Sequence, residues 1–307
     1  MADSGISVIG TGAIGSAVAR RLLAAGRPVT VWNRTARRTA GLVSDGAHQA
    51  NSLADAFQRH DLIVLTVTDY EAARHCLAGA AAQDATQNAT QNATQNATQN
   101  PTPDLTGRTV VVMCTGTPDD ARATANLVTR LNGDYLDAGV QTPPDAITTA
   151  SATILYSGPR ELFERHTPTF ELFGEPRFAG PTPEAAATWD LALFGVWYDA
   201  QLGLLRALKT AQDAGIDVTE FAETADKTLG YLQAKTTASE VKNRVYPAGP
   251  ANLHEHLTVI NQLIETRENT SLKDLPTIRT RIEELIADKR GDDGLTAITA
   301  GPVTPEA

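Results

Sequence analysis

Through the first half of the chain, short apolar runs closed by glycine or polar turns alternate with stretches whose apolar positions recur every three or four residues. That alternation predicts parallel strands covered by helices. Strands are expected at 6–10, 29–32, 62–66, 109–114, 135–136 and 154–157, with a helix over 13–25 and Gly158-Pro159 as a stop. One stretch breaks the rhythm. Within residues 84–103, four copies of Ala-Thr-Gln-Asn are followed by Pro101 and Pro103. A four-residue repeat without a large apolar side chain has nothing to bury, so it predicts a flexible surface insertion. Its Asn-x-Thr triplets at Asn88, Asn92 and Asn96 are coincidental in a chain that shows no secretory signal.

Beyond Gly180 the pattern becomes wholly helical. Residues 183–214 carry helical periodicity without internal Gly-Pro punctuation, which predicts a rod of about 45 Å, too long to pack on a single sheet. Further helices follow to about residue 300, interrupted at Tyr246-Pro247-Ala248-Gly249-Pro250. The expected organisation is an α/β Rossmann-type N-terminal domain over 1–181, then a long interdomain helix and an all-α domain over 182–307.

Composition narrows the function classes. With 26 Lys+Arg against 36 Asp+Glu among 307 residues, the net charge of −10 is a poor match to a nucleic-acid or anionic-membrane binder. No apolar run approaches the ~18 residues needed to span a bilayer. The two cysteines, Cys76 and Cys114, make neither a disulfide scaffold nor a zinc module and fit a reducing compartment. A cytoplasmic protein is expected. His254 and His256 alternate rather than sit at i, i+4, and His48, His60, His75 and His166 are scattered, so no metal site is expected; these last four read as solvated.

Gly10-Thr11-Gly12-Ala13-Ile14-Gly15 follows a strand and opens a helix, the context a dinucleotide fingerprint requires. A diphosphate would lie against the helix N-terminus, where unpaired N–H groups favour negative charge. The second strand ends in Trp32-Asn33-Arg34-Thr35, with Arg37 and Arg38 beyond, and no carboxylate at the tip. Guanidinium groups bind a ribose 2′-phosphate that an acid would repel, so NADPH/NADP⁺ is the expected cofactor. Asn33, Arg34, Thr35 and Arg38 are assigned to its ribose, with Thr66, Val67, Thr115 and Thr117 at the ends of the next strands.

These motifs resemble the NADPH-dependent imine reductases and reductive aminases of the β-hydroxyacid dehydrogenase superfamily. Carrying the resemblance are the fingerprint, the Asn33-Arg34-Thr35 turn, Gly116-Thr117-Pro118, Tyr135-Leu136-Asp137-Ala138-Gly139-Val140, Ile154 through Gly158, Trp189-Asp190-Leu191-Ala192-Leu193 with Tyr198, and 291–295. Met113-Cys114-Thr115 departs from the Asn that many members carry in that loop. The resemblance implies an interdomain helix bearing the proton donor, a nicotinamide-side role for Thr115 and Thr117, and a domain-swapped homodimer. Asp190 is assigned to stabilising or protonating an imine nitrogen, and Tyr198 to positioning substrate or supplying a second hydroxyl. Trp197 and Tyr231 are expected to wall a pocket for a small-molecule imine or amine. Asp137, at a strand's end, either belongs to a site or caps a turn. Dehydrogenases of the superfamily use a lysine on this helix, whereas the first lysine after residue 183 is Lys209, about 28 Å along the helix from Asp190. A 3-hydroxyacid dehydrogenase is therefore the weaker alternative, and a non-catalytic NADP-binding sensor the alternative from another class.

Overall fold

The computed structural model describes residues 5–78, 104–142, 146–147, 149, 152–230, 234–243, 262–263, 275–289 and 298. Tyr231, the 84–103 insertion, the interruption at 246–250, His254, His256 and residues 291–295 lie outside them. The chain divides into two units, Met1–Gly195 and Val196–Ala307, so the division falls inside one long helix.

The first unit is built on eight strands: β1 (Ile6–Ile9), β2 (Val29–Trp32), β3 (His48–Gln49), β4 (Leu62–Leu65), β5 (Thr109–Met113), β6 (Asp134–Val140), β7 (Thr153–Ser157) and β8 (Glu175–Gly180). They lie in the order β3-β2-β1-β4-β5-β6-β7-β8. All neighbours are parallel except β6 and β7, which run antiparallel. β1, β4 and β5 are buried along their whole length, which is why they read as continuous apolar runs. The apolar core lies on both faces of the sheet, one side centred on Val8, Leu22 and Tyr156, the other on Ile63, Phe57 and Val110. Helices α1 (Ala13–Ala24), α2 (Ala40–Ser44), α3 (Leu53–Gln58), α4 (residues 70–78), α5 (Pro118–Arg130) and α6 (Arg160–Phe170) join the strands.

Sequence periodicity missed β3 and β8 and reduced β6 to two residues. β3 is two exposed residues at the sheet's edge, too short to show a pattern. β6 contains Asp134, Asp137 and Gly139, residues that propensity alone places outside strands. Two of the four histidines expected in solvent are instead half-buried. His60 bonds the Thr30 hydroxyl at 3.0 Å, and His166 bonds that of Thr109 at 3.0 Å. Burial pushes the His166 imidazole down to about 4.

α7 (Ala185–Asp213) runs from the first unit into the second. The second unit adds α8 (Val218–Leu229), α9 (Ala234–Asn243) and α10 (Leu275–Ala287). Its core among the described residues is a cluster of Leu202, Leu205, Ile278, Leu285 and Ile298. No described helix is long and apolar enough to cross a membrane.

Candidate active site

The strand order reverses between β1 and β4, and ligands of such sheets bind outside the carboxyl ends at that point. Here the β1–α1 turn is tied to its neighbours on both sides. The Gly10 N–H donates to the Trp32 carbonyl at 2.9 Å, and the Thr66 hydroxyl donates to the Gly10 carbonyl at 2.6 Å. Gly15 is buried where a side chain would collide with the Gly10 carbonyl and the Thr66 hydroxyl, so only glycine lets α1 start this close to β1 and β4. Gly12, by contrast, faces open space within 4 Å, which leaves its backbone approachable by a ligand. Ala13 is exposed and Ile14 half-buried at the start of α1. Val67 is half-buried just past β4.

The Asn33 side chain accepts from the Thr11 N–H at 3.1 Å and donates to the Thr35 carbonyl at 3.1 Å. It therefore clasps the glycine turn to the turn after β2. Arg34, Thr35, Arg37 and Arg38 are exposed. Among the described residues none of these guanidinium groups pairs with a carboxylate. Three unneutralised cations at the tip of β2 can accept a 2′-phosphate; a carboxylate that would select a 2′-hydroxyl is missing from that turn.

The second half of the site forms where β6 meets the first turns of α7. Asp190 is 1% exposed although Trp189 and Leu191 beside it are exposed, because Ala186, Ala187 and Asp190 share the helix face that is buried. Its Oδ1 accepts from Gln141 Nε2 at 2.7 Å. The same amide donates to the Asp190 backbone carbonyl at 3.3 Å. A Cβ on Gly139 would stand 2.7 Å from Asp190 Oδ1, so the carboxyl occupies the space that a missing side chain leaves. Oδ2 makes no well-formed hydrogen bond among the described residues. Burial raises the Asp190 carboxyl above the ordinary range, while Gln141 and the hydroxyl of Thr115 pull it back. The group can therefore hold a proton at higher pH than a surface aspartate, and it has an oxygen left to give it from.

Thr115 and Thr117 part company. Thr115 is exposed and reaches Asp190, whereas the Thr117 hydroxyl accepts from the Asp120 N–H at 3.2 Å and donates to the Asp120 carboxylate at 2.6 Å. Thr117 thus closes a capping box on α5. Trp197 and Tyr198 follow on α7 in the second unit, exposed and in edge-to-face contact at 4.9 Å. Among the described residues no group of three His, Cys, Asp or Glu could hold a metal ion.

Sequence reasoning missed Gly139 and Gln141 and left Asp137 undecided. Asp137 does not cap a turn. It is fully buried in the middle of β6, and both Tyr70 and Tyr135 donate their hydroxyls to Oδ1 at 2.8 Å. A signal was present: Asp137, Gly139 and Gln141 alternate, so they share one face of a strand.

Residues 5–180 match the family model for the NAD binding domain of 6-phosphogluconate dehydrogenase, and residues 182–301 that for the C-terminal domain of NADPH-dependent reductive aminase-like proteins. An NADPH-dependent reductive aminase of Aspergillus oryzae is 28% identical over 95% of both chains. Among solved structures, an imine reductase of Aspergillus terreus in complex with NADPH4 and dibenz[c,e]azepine matches at a TM-score of 0.74 and 26% identity, covering 97% of this chain and 99% of that one. A Streptomyces aurantiacus imine reductase matches at 0.73 and 26%, over 96% and 98%.

Proposed function

We propose that this chain, a member of the NADPH-dependent imine reductase and reductive aminase family, reduces carbon–nitrogen double bonds, with Asp190 as the group that meets the substrate nitrogen. The carrying observation is the buried Asp190 carboxyl on α7, seated on Gly139 and held by Gln141. That helix carries no lysine before Lys209.

The first unit suits the cofactor. The open face of Gly12 and the start of α1 would take the diphosphate, and Arg34 and Arg38 the 2′-phosphate. NADPH, when bound, supplies a hydride. The chain's own contribution is charge and protons. An ionised Asp190 in a low-dielectric site attracts an iminium far more strongly than water allows. A protonated Asp190 donates to a neutral imine nitrogen, and burial lets the carboxyl keep that proton at higher pH than a surface aspartate does. Gln141 holds the carboxyl in one orientation for either task. Tyr198 is assigned to substrate positioning, with Trp197 and Tyr231 as apolar wall.

Cyclic imines are the favoured substrates, supported by the dibenzazepine in the Aspergillus terreus relative; condensation of a ketone with an amine is the finer possibility that the reductive aminase relative raises. A homodimer is part of the reading, since Val196, Trp197, Ile216 and Val241 leave apolar surface exposed; sedimentation at micromolar concentration checks it, and a monomer would refute it. A cytoplasmic setting fits two unpaired thiols.

The test is NADPH oxidation followed with 2-substituted pyrrolines and dihydroisoquinolines, beside NADH and beside 3-hydroxy acids with NADP⁺. Imine turnover that favours NADPH is the expected result. Hydroxy-acid oxidation without imine reduction would overturn the assignment of Asp190, and tight NADPH binding without any turnover would favour a cofactor sensor.

A further inference from the structure

β6 and the residue that follows it present four polar or small positions on one face, spaced by two: Tyr135, Asp137, Gly139 and Gln141. Each makes a contact that leads to the first turns of α7. Gln141 and Gly139 receive the Asp190 side chain, as above. One step back, Asp137 accepts from the backbone N–H of Ala187. Across the antiparallel register, Asp137 sits opposite Ser157 on β7. The Ser157 hydroxyl accepts from the Ala186 N–H at 2.9 Å and donates to the Pro183 carbonyl at 3.0 Å. Two neighbouring strands thus use adjacent side chains to satisfy the N–H groups that an α-helix leaves orphaned at its start.

Asp137 also reaches the other way. Tyr70, fully buried at the start of α4, donates to both carboxylate oxygens at 2.8 and 2.9 Å. Its ring fills the space beside Gly116, in the loop after β5. A single carboxylate therefore joins the loops at the carboxyl ends of β4 and β5 to the helix turn that carries Asp190.

We propose that Asp137 is a positioning residue: through Tyr70 and the Ala187 N–H it fixes the first turns of α7 on β6, and so sets the place and ionisation of the Asp190 carboxyl relative to the cofactor crevice. The inference rests on the role given to Asp190. The groups facing Asp137 are Tyr70 from α4, Tyr135 from its own strand, Cys114 beyond β5 and Asp190 from α7. Both tyrosines are pushed far above their ordinary range by burial beside this acid, so they remain donors throughout the accessible pH range. The charge that can change beside Asp137 is that of Asp190.

The experiment is a double-mutant cycle with Asp137→Asn, Asp190→Asn and the pair, measured as kcat, imine KM and NADPH Kd. Tyr70→Phe serves as the milder variant, because it keeps the ring against Gly116. A positioning role predicts that Asp137→Asn or Tyr70→Phe lowers kcat at least tenfold with NADPH Kd within twofold, and that the loss disappears in the Asp190→Asn background. Independent, additive losses, or a kcat loss matched by a rise in NADPH Kd, would reduce Asp137 to a fold-stabilising residue. A second readout needs no turnover. Carboxyl ¹³C NMR of the protein without substrate should show the Asp190 titration displaced in Tyr70→Phe, and an unmoved titration overturns the proposal. If the wild-type protein reduces no imine, the reaction assignment fails while this NMR result still decides the positioning role.

Discussion

The two ends of the candidate site are built on opposite principles. At the β1–β2 end, the proposed cofactor site uses exposed groups: a glycine turn with open space in front of it and three arginines that, among the described residues, pair with no carboxylate. At the β6–α7 end it rests on buried ones: Asp137 and Asp190, each packed away from water and held by hydrogen bonds from other elements. Charges in water interact weakly and bind by number and reach. Charges in the interior interact strongly, and a displacement of one ångström or one lost donor changes what they do. The nucleotide end should therefore tolerate substitutions in increments, and the carboxylate end should not.

The largest effect is expected where even the exposed end depends on close packing. Gly15→Ala drives a Cβ into the Gly10 carbonyl, and calorimetry should show NADPH affinity falling by about 100-fold or more, the several kcal/mol typical of a backbone clash. Asp190→Asn should lower kcat by roughly 100-fold, within the range for a lost proton donor or charge partner, while NADPH Kd stays within about twofold. An equal loss in both would erase the separation between the two ends. Arg34→Ala and Arg38→Ala should each raise the NADPH KM by about tenfold, the worth of one charge-assisted contact. Neither should alter the NADH KM, so a matching change with NADH would show that these arginines do not read the 2′-phosphate.

The last effect concerns stability. Burial raises the Asp137 carboxyl from 3.8 to about 7, so between those values the folded chain retains a proton that the unfolded chain has lost. Its contribution is fully present below pH 3.8 and is lost as pH rises toward 7. Denaturant melts should show a stability slope of at most about 1.4 kcal/mol per pH unit from this group. Asp137→Asn should flatten it.

The nucleotide end was legible because its determinants are local. A glycine spacing and an arginine-rich turn do their work within a few residues of one another, so order along the chain is order in space. The same holds for α7, whose unbroken periodicity from 183 to 214 gave a helix observed at Ala185–Asp213. β6 was harder. Its Asp134, Asp137 and Gly139 disfavour a strand by propensity, and pairing with β5 or β7 makes them part of one. Asp190 could be named from a resemblance and from the absence of lysine, but its burial could not, because its neighbours Trp189 and Leu191 are apolar and exposed.

By itself, then, the amino-acid order determined the class of fold, the glycine turn between β1 and α1, the basic turn after β2 and the long helix that carries Asp190. Tertiary structure alone decided that Asp137 faces two tyrosines and a helix N–H, that Asp190 fits the space over Gly139, and that Gln141 restrains it. The physical reason is range. Helix periodicity and turn chemistry are properties of neighbouring residues, whereas the ionisation of a buried carboxyl depends on groups that only the folded sheet brings within 3 Å.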